Sequence, residues 1–291
     1  MVLQTLESRE WHETLARLME HLGQGDLPDV LVETVEAVSA SDGIVVFAYR
    51  KDRRPEILCD NITESERRHI VENYIGKVYL LGPVYRACLN GLASGVYLLR
   101  DLAPGGAWFY NSEYFKTYYR GTNLIDEAYI VVRLDPDNVI LISVGRDRPG
   151  PRFGRRDRAR LGAIEPVIRQ AVLQQWGDLG VSEQAEDSAG GLSHEQLEGA
   201  LAHFGCSFLT ERECQVARMM LQGLSGKAVA LKLAISPETA KIHRKRIYRK
   251  LDITSQAELF SLFIGALSCI DGRSAQDPLE IYLAPAAGRS A

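Results

Sequence analysis

The chain has 291 residues, 46% hydrophobic and 25% charged, with a formal net charge of -4. This balance excludes a fibrous repeat and wholesale disorder, and at ~150 residues per domain the length points to two domains. Apolar runs such as Gly43 to Tyr49 fall far short of the ~18 residues needed to cross a bilayer, and MVLQTLESREWHETL at the N-terminus has no basic-then-apolar signal, so the expectation is a cytoplasmic protein without a membrane partner.

Residues 1–176 read as one mixed α and β domain. Amphipathic patterns over Leu6–Leu22 and Asp29–Ala40 predict two helices, followed by an apolar strand at Gly43–Tyr49. Helical patterns at Ser65–Ile75, Leu81–Leu92 and Tyr110–Arg120 alternate with strand candidates at Gly95–Arg100, Asp126–Leu134 and Asn138–Arg146. Asp135-Pro136-Asp137 separates the last two strands and predicts a hairpin, hence an antiparallel sheet. A helix over Arg155–Trp176 closes the domain. The class is α+β: an antiparallel sheet flanked by helices, then an all-α C-terminal domain.

Nine of the twelve tyrosines lie between Tyr74 and Tyr129, so this stretch carries both a core and a ligand-pocket reading. Trp108, Tyr110, Tyr114, Tyr118 and Tyr119, with Arg120, Asp126 and Glu127 beside them, are the candidate ligand-binding residues. Two acids near aromatic faces favour a cationic amine. Seven arginines against two acids between Arg146 and Arg160 read as an exposed loop entering the closing helix.

From Gly177 to about Ser207 the composition turns to Gly, Ser, Ala, Gln and acids, which predicts a linker over 177–207. The five cysteines have long, unpaired spacings and read as buried thiols in a reducing compartment. No Cys-x-x-Cys pair appears, and no metal site is expected. With no Gly-rich phosphate loop and no Gly-x-Ser-x-Gly, neither a cofactor nor an enzyme is expected.

Charge is segregated. Gly205 to Ile270 holds ten Lys/Arg against five Asp/Glu (+5), which leaves 24 against 33 (-9) elsewhere. Thr210 and Glu213 have capping-box spacing, so a helix should begin there, with Val216, Met219 and Met220 as its apolar face and Gly223 at its end. A short helix over Lys227–Leu233 follows. Ser236-Pro237-Glu238 then starts a third, with Ser as N-cap and Pro at its first position. On this third helix Ala240, Ile247 and Leu251 share one side, while Glu238, Lys241, Ile242, Lys245 and Arg249 share the other. Two short helices with a basic second face suit a recognition helix in the DNA major groove, so double-stranded DNA is the expected partner.

A fourth helix should open at Thr254 or Ser255. Its two adjacent apolar stripes, one of them Phe260, Ile264 and Leu267, form an arc of about 200°, wider than a small bundle buries. The excess predicts a homodimer through that stripe, with two recognition helices ~34 Å apart.

The run from Leu209 to Leu259 resembles the C-terminal DNA-binding domain of LuxR-type transcription regulators. The resemblance rests on Leu209-Thr210-x-Arg212-Glu213, Leu233-x-Ile235-Ser236-x-x-Thr239, Lys241-x-His243 and Lys250-Leu251 in that family's order, and places the domain at 208–270. It implies that Lys241, Ile242 and Lys245 face bases and that Thr239, His243, Arg246 and Arg249 meet phosphates. Ala240, Gly226, Ala228 and Gln256 depart from the pattern, Gln256 at the expected cost of one phosphate contact.

Related regulators carry a phosphoreceiver or an acyl-homoserine-lactone domain ahead of this unit. The first strand ends in Arg50-Lys51 rather than in acids, which argues against a receiver. The first domain is similar in outline to GAF, PAS or autoinducer domains. The leading expectation is a small-molecule effector controlling DNA binding; a dimerisation or docking module and a lactone sensor are the alternatives. The tail 271–291, with Leu279–Leu283, is read either as a docked strand or as mobile.

Overall fold

The computed structural model describes residues 4–51, 53–75, 78–103, 109–110, 112, 115–116, 119, 122–179, 194–270 and 276–284. Helices α1 (Arg9–Glu20) and α2 (Leu27–Val38) pack together ahead of the sheet. Ser8 caps α1 by accepting from the Trp11 N–H, which leaves Trp11 and Leu18 on its buried face.

Five strands follow: β1 (Gly43–Arg50), β2 (Glu56–Asp60), β3 (Gly95–Leu98), β4 (Leu124–Arg133) and β5 (Asn138–Asp147). They pair in the order β2-β1-β5-β4-β3, every neighbour antiparallel. The hairpin at Asp135–Asp137 closes where Leu134 N–H donates to Asn138 O at 3.0 Å, with Asp135 Oδ1 accepting from the Asp137 and Asn138 amides.

Strand alternation sends Ile44, Val46, Ala48, Ala128, Ile130, Val132, Ile140, Ile142 and Val144 to one face, under α2 and α6 (Arg155–Trp176). Val45, Phe47, Tyr49, Tyr129, Val131 and Leu141 go to the other. There they meet α3 (Glu64–His69) with its π-helical continuation Ile70–Ile75, the 3-10 turn Val78–Leu81, and α4 (Pro83–Leu89).

β2 was not anticipated, because Glu56–Asp60 is a five-residue edge strand mixing charged and apolar side chains. The expected strand Gly95–Arg100 stops at Leu98 and turns into α5 (Leu99–Leu102). The helix expected over Leu81–Leu92 shortens to Pro83–Leu89, because Pro83 sets its start and Gly91, at φ 85, lies past its end.

Part of the arginine run is structural, while Arg148, Arg155 and Arg156 are exposed. Arg146 donates to Ala40 O, Pro151 O and Asp157 and lies over the Phe153 ring, Arg152 lies over Tyr110, and Arg160 donates to Gln4 O.

Inside the expected linker, α7 (His194–His203) is a formed helix. It carries Ala200 and Leu201 and is followed by Phe204, all buried, with Phe204 edge-on to Phe263 at 5.2 Å. Composition hid this helix because its few apolar residues fall on one face.

The C-terminal unit continues with α8 (Glu211–Leu221), α9 (Gly226–Lys232), α10 (Pro237–Lys250), α11 (Gln256–Leu267) and α12 (Pro278–Leu283). Their shared core includes Leu209, Val216, Leu221, Val229, Ala240, Ile247, Leu259 and Phe263. Within the tail, the stretch expected as a docked strand or mobile is helical over Pro278–Leu283, as α12. Asp277 fixes it by accepting from its own turn at Leu279 N (2.9 Å) and from Gly205 N and Ser207 N (both 2.8 Å).

This helix also covers part of the wide apolar arc on α11. Phe260 and Leu267 are buried within the chain and Ile264 is half-buried, while Tyr282 of α12 packs where a Cβ on Gly265 would lie 2.9 Å away. Part of the excess apolar surface is therefore covered within the chain.

Candidate functional site

Each end of the helix pair α9–α10 is fixed by a specific hydrogen bond. Ser225 Oγ accepts from Ala228 N and starts α9. Ala234 takes the left-handed conformation (φ 51) that lets the chain reverse, and Ile235 N–H returns to Ala230 O at 3.0 Å. Arg212 reaches over from α8 and donates to Leu233 O at 2.7 Å, satisfying a carbonyl at the end of α9. Ser236 Oγ accepts from Thr239 N at 3.0 Å and starts α10 with Pro237 at its first position.

Ala240 and Ile247 bury the inner side of α10. Lys241, Ile242, Lys245, Arg246 and Arg249 are exposed on its outer side, Ile242 by 49% despite being aliphatic. Thr239 and His243 are half-buried, and the Thr239 hydroxyl is shared with Ser236 Oγ at 2.9 Å.

Lys250 turns inward instead: its Nζ donates to Glu213 Oε2 at 2.7 Å. Burial pushes the Glu213 carboxyl up, but the hydrogen bonds from Lys250 and Thr210 outweigh it and hold the group below its ordinary value.

Arg244, near the apolar side by spacing, is exposed and lines a groove of about 480 Å³ with Lys227, Lys241 and Gln256 over a floor of Val216, Met220 and Val229. Gln256 Nε2 donates to Met220 O at 2.8 Å, a structural use of the residue expected only to lose a phosphate contact.

In the first domain, Asp126 and Glu127 are consecutive strand residues, and their side chains leave opposite faces of β4. The expected joint use of both acids on one ligand is therefore corrected. Asp126 accepts from Tyr110 Oη at 2.7 Å and from Phe153 N at 2.9 Å. Glu127 lies on the aromatic face, where it accepts from Ser143 Oγ (2.8 Å), Tyr129 Oη (3.1 Å) and Tyr119 Oη. Burial raises both carboxyls above their ordinary values. Trp108, Tyr114, Tyr118 and Arg120, with most of the helix expected over Tyr110–Arg120, lie outside the described residues.

Glu127 lines a small cavity of about 70 Å³ between the sheet and α3, with Phe47 and Ile62 as apolar wall and Asp42, Glu66 and Asp147 as further acidic lining; among the described residues no basic side chain lines it. Gly43 and Gly145 make the space: a Cβ on either would come within 2.8 Å of Ile62 or Leu124. Sequence reading missed this cavity because its residues come from β1, α3, β4 and β5, and only the sheet register brings them together.

Among the described residues no group of three or more His, Cys, Asp or Glu could hold a metal ion. None of the five cysteines is in a disulfide. Cys88 and Cys214 are buried, their thiols pushed up to about 12 mainly by burial, whereas Cys206 is exposed, against the expectation of a buried thiol. No helix of the described residues is long and apolar enough to cross a membrane.

The two capped helices around Ala234, with a cationic outer face on the second, define a helix-turn-helix DNA-binding protein. The sequence profile of the bacterial regulatory proteins of the luxR family matches residues 207–263. A protein of Aeromonas salmonicida, described as an HTH-type transcriptional regulator in the exeN 3′ region, is 33% identical over 189 residues, covering 64% of this chain and 94% of that one. The chain belongs to the LuxR family of transcriptional regulators. The monoamine regulon transcriptional regulator of Klebsiella aerogenes is 27% identical over 234 residues, covering 79% and 87% of the two chains. Among solved structures, the VqsR LBD domain of Pseudomonas aeruginosa overlays with a TM-score of 0.49 at 24% identity, covering 57% of this chain and 96% of that one.

Proposed function

We propose that this regulator reads duplex DNA with the outer face of α10 and that a small organic cation bound in its first domain controls the reading. The observation that carries the DNA part is the separation on α10 itself: Ala240 and Ile247 anchor it, and Lys241, Ile242, Lys245, Arg246 and Arg249 stand free in solvent. Lys241, Ile242 and Lys245, near the start of the helix, would meet base edges. Thr239, His243, Arg246 and Arg249 would meet phosphates.

The functional unit would be a cytoplasmic homodimer on a two-fold site, the usual solution for helix-turn-helix readers. It would carry no enzymatic activity and would divide into a sensing domain through residue 176 and a DNA-binding unit from about residue 208. The α7 helix extends that unit upstream, and α12 completes it.

An anisotropy titration against salt tests the DNA part. With about 4 to 6 phosphate contacts per subunit, log K should fall with log salt at a slope of roughly -4 to -5 per subunit. Lys245→Ala should relax base preference, whereas Arg249→Ala should weaken all sequences alike; binding indifferent to both changes would overturn the assignment.

The cation follows from the cavity beside Glu127, acidic on several sides, walled by Phe47 and sized for a head group of a few heavy atoms. The Klebsiella aerogenes relative, named for a monoamine regulon, points the same way. Thermal unfolding with a panel of amines, carboxylates and acyl-lactones tests it. A binding amine at a hundred times its Kd should add about 2.7 kcal/mol, and a panel in which no amine stabilises the protein would refute the reading.

A further inference from the structure

One short aromatic segment touches both halves of the molecule. At its upstream end, Phe109 and Ser112 lie beside Gly223: a Cβ there would be in ordinary van der Waals contact, 3.4 Å from the Ser112 Cβ and 3.8 Å from the Phe109 ring. Gly223, at φ 81, follows α8 and opens the turn into α9, so glycine suits its backbone. At its downstream end, the Tyr119 hydroxyl donates to Glu127 at the cavity.

Between these ends the described residues are tied to one another. Lys116 N donates to Ser112 O (3.0 Å), Tyr119 N to Phe115 O (2.9 Å), and Phe115 N to Ser112 Oγ (3.1 Å). Phe115 stacks on Tyr119 with centroids 4.0 Å apart and meets Phe109 edge-on at 5.8 Å. Phe109, Ser112, Phe115 and Tyr119 are all buried, so a displacement at one end has little free volume to dissipate into before it reaches the other.

We propose that this segment is a mechanical link: the Tyr119–Glu127 hydrogen bond sets the position of the Phe115 and Phe109 rings, and those rings with Ser112 form the seat that holds the DNA-binding unit at Gly223. Lys241, Ile242, Lys245 and Arg249 are exposed while the seat is closed, so docking fixes the orientation of the reading helix without covering it. A docked reader is preorganised, and opening the seat costs DNA affinity through lost orientation. The trigger, an occupant that competes with Tyr119 for Glu127, rests on the proposed cation site; the link itself does not.

The test needs no ligand. On the full chain, amide exchange at Gly223 and Leu224 and DNA affinity are measured for Tyr119→Phe and Phe109→Ala, with Tyr97→Phe as a tyrosine control off the path. Tyr119→Phe keeps the ring and removes only the hydroxyl, so it is decisive even if Phe109→Ala fails to fold. Both path variants should speed exchange at Gly223 and Leu224 at least threefold and weaken DNA binding at least threefold, with Tyr97→Phe doing neither.

Acceleration of less than threefold in Tyr119→Phe overturns the link. If amines nevertheless stabilise the parent chain, the cation reading stands and the link alone fails. If Tyr119→Phe opens the seat while no amine stabilises the chain, the link holds and the cation reading falls.

Discussion

Lys250 and Glu213 form an ion pair across the DNA-binding unit, Nζ to Oε2 at 2.7 Å, with the Glu213 side chain 3% exposed. Glu213 also serves the capping box of α8, accepting from Thr210 N at 2.9 Å. One carboxylate thus starts α8 and fastens the far end of α10 to it. Lys250→Met should destabilise the protein by about 1–3 kcal/mol, because the remaining carboxylate is buried without its cation. It should leave the salt slope of DNA binding unchanged, whereas Arg249→Ala should make that slope shallower by about one unit. Denaturant melts and salt titrations of the two variants check both statements.

The same pair gives a pH dependence of known sign. Glu213 is held below its ordinary 4.5, so its contribution is present above that value and is lost as pH falls through the lower folded-state value. Melting temperatures followed from about pH 6 to 3 should fall less steeply for Lys250→Met than for the parent chain, since that variant has already lost the main hydrogen bond depressing Glu213.

Glu127 should behave in the opposite sense. Burial raises its folded-state value, so its contribution is fully present below the unfolded value of 4.5 and is lost as pH rises through the raised one. Glu127→Gln removes the ionisable group at nearly constant volume. It should flatten the decline in stability on the neutral side, and an identical decline in the parent and variant melts would contradict the assignment.

Asp277 should matter more than a residue near the chain's end usually does. Its carboxylate accepts from the backbone N–H groups of Gly205 and Ser207 and thereby ties the start of α12, which packs on α11, to the loop after α7. Asp277→Ala should cost about 1–3 kcal/mol, because it strands buried donors. Thermal melts report the loss, and binding of a hydrophobic dye reports the accompanying exposure of Phe260 and Leu267.

Much of the DNA-binding unit is written locally. Thr210 with Glu213, Ser236 with Pro237, and Ser255 with Glu258 are capping signals complete within four residues, and the structure starts α8, α10 and α11 at those places. The hairpin at Asp135–Asp137 is equally local. β2 was missed because it carries no such signal and takes its identity from pairing with β1; α7 was missed although Ser193 and Gln196 have capping-box spacing at its start, because the Gly-, Ser- and acid-rich composition around it outweighs that pair. For the stripe on α11, periodicity reports how much surface must be covered without reporting what covers it.

By itself, then, the sequence determined the helix starts, the alternation of the sheet and the cationic outer face of α10, since each depends on neighbours a few positions away through backbone geometry. Tertiary structure alone decided three things: that Lys250 pairs with the buried Glu213, that strand register brings Glu127 to one cavity with Phe47 and Asp147, and that Phe109 lies beside Gly223. These are contacts between residues 37 or more positions apart or consequences of strand register, and both follow from how whole elements pack rather than from any local run of side chains.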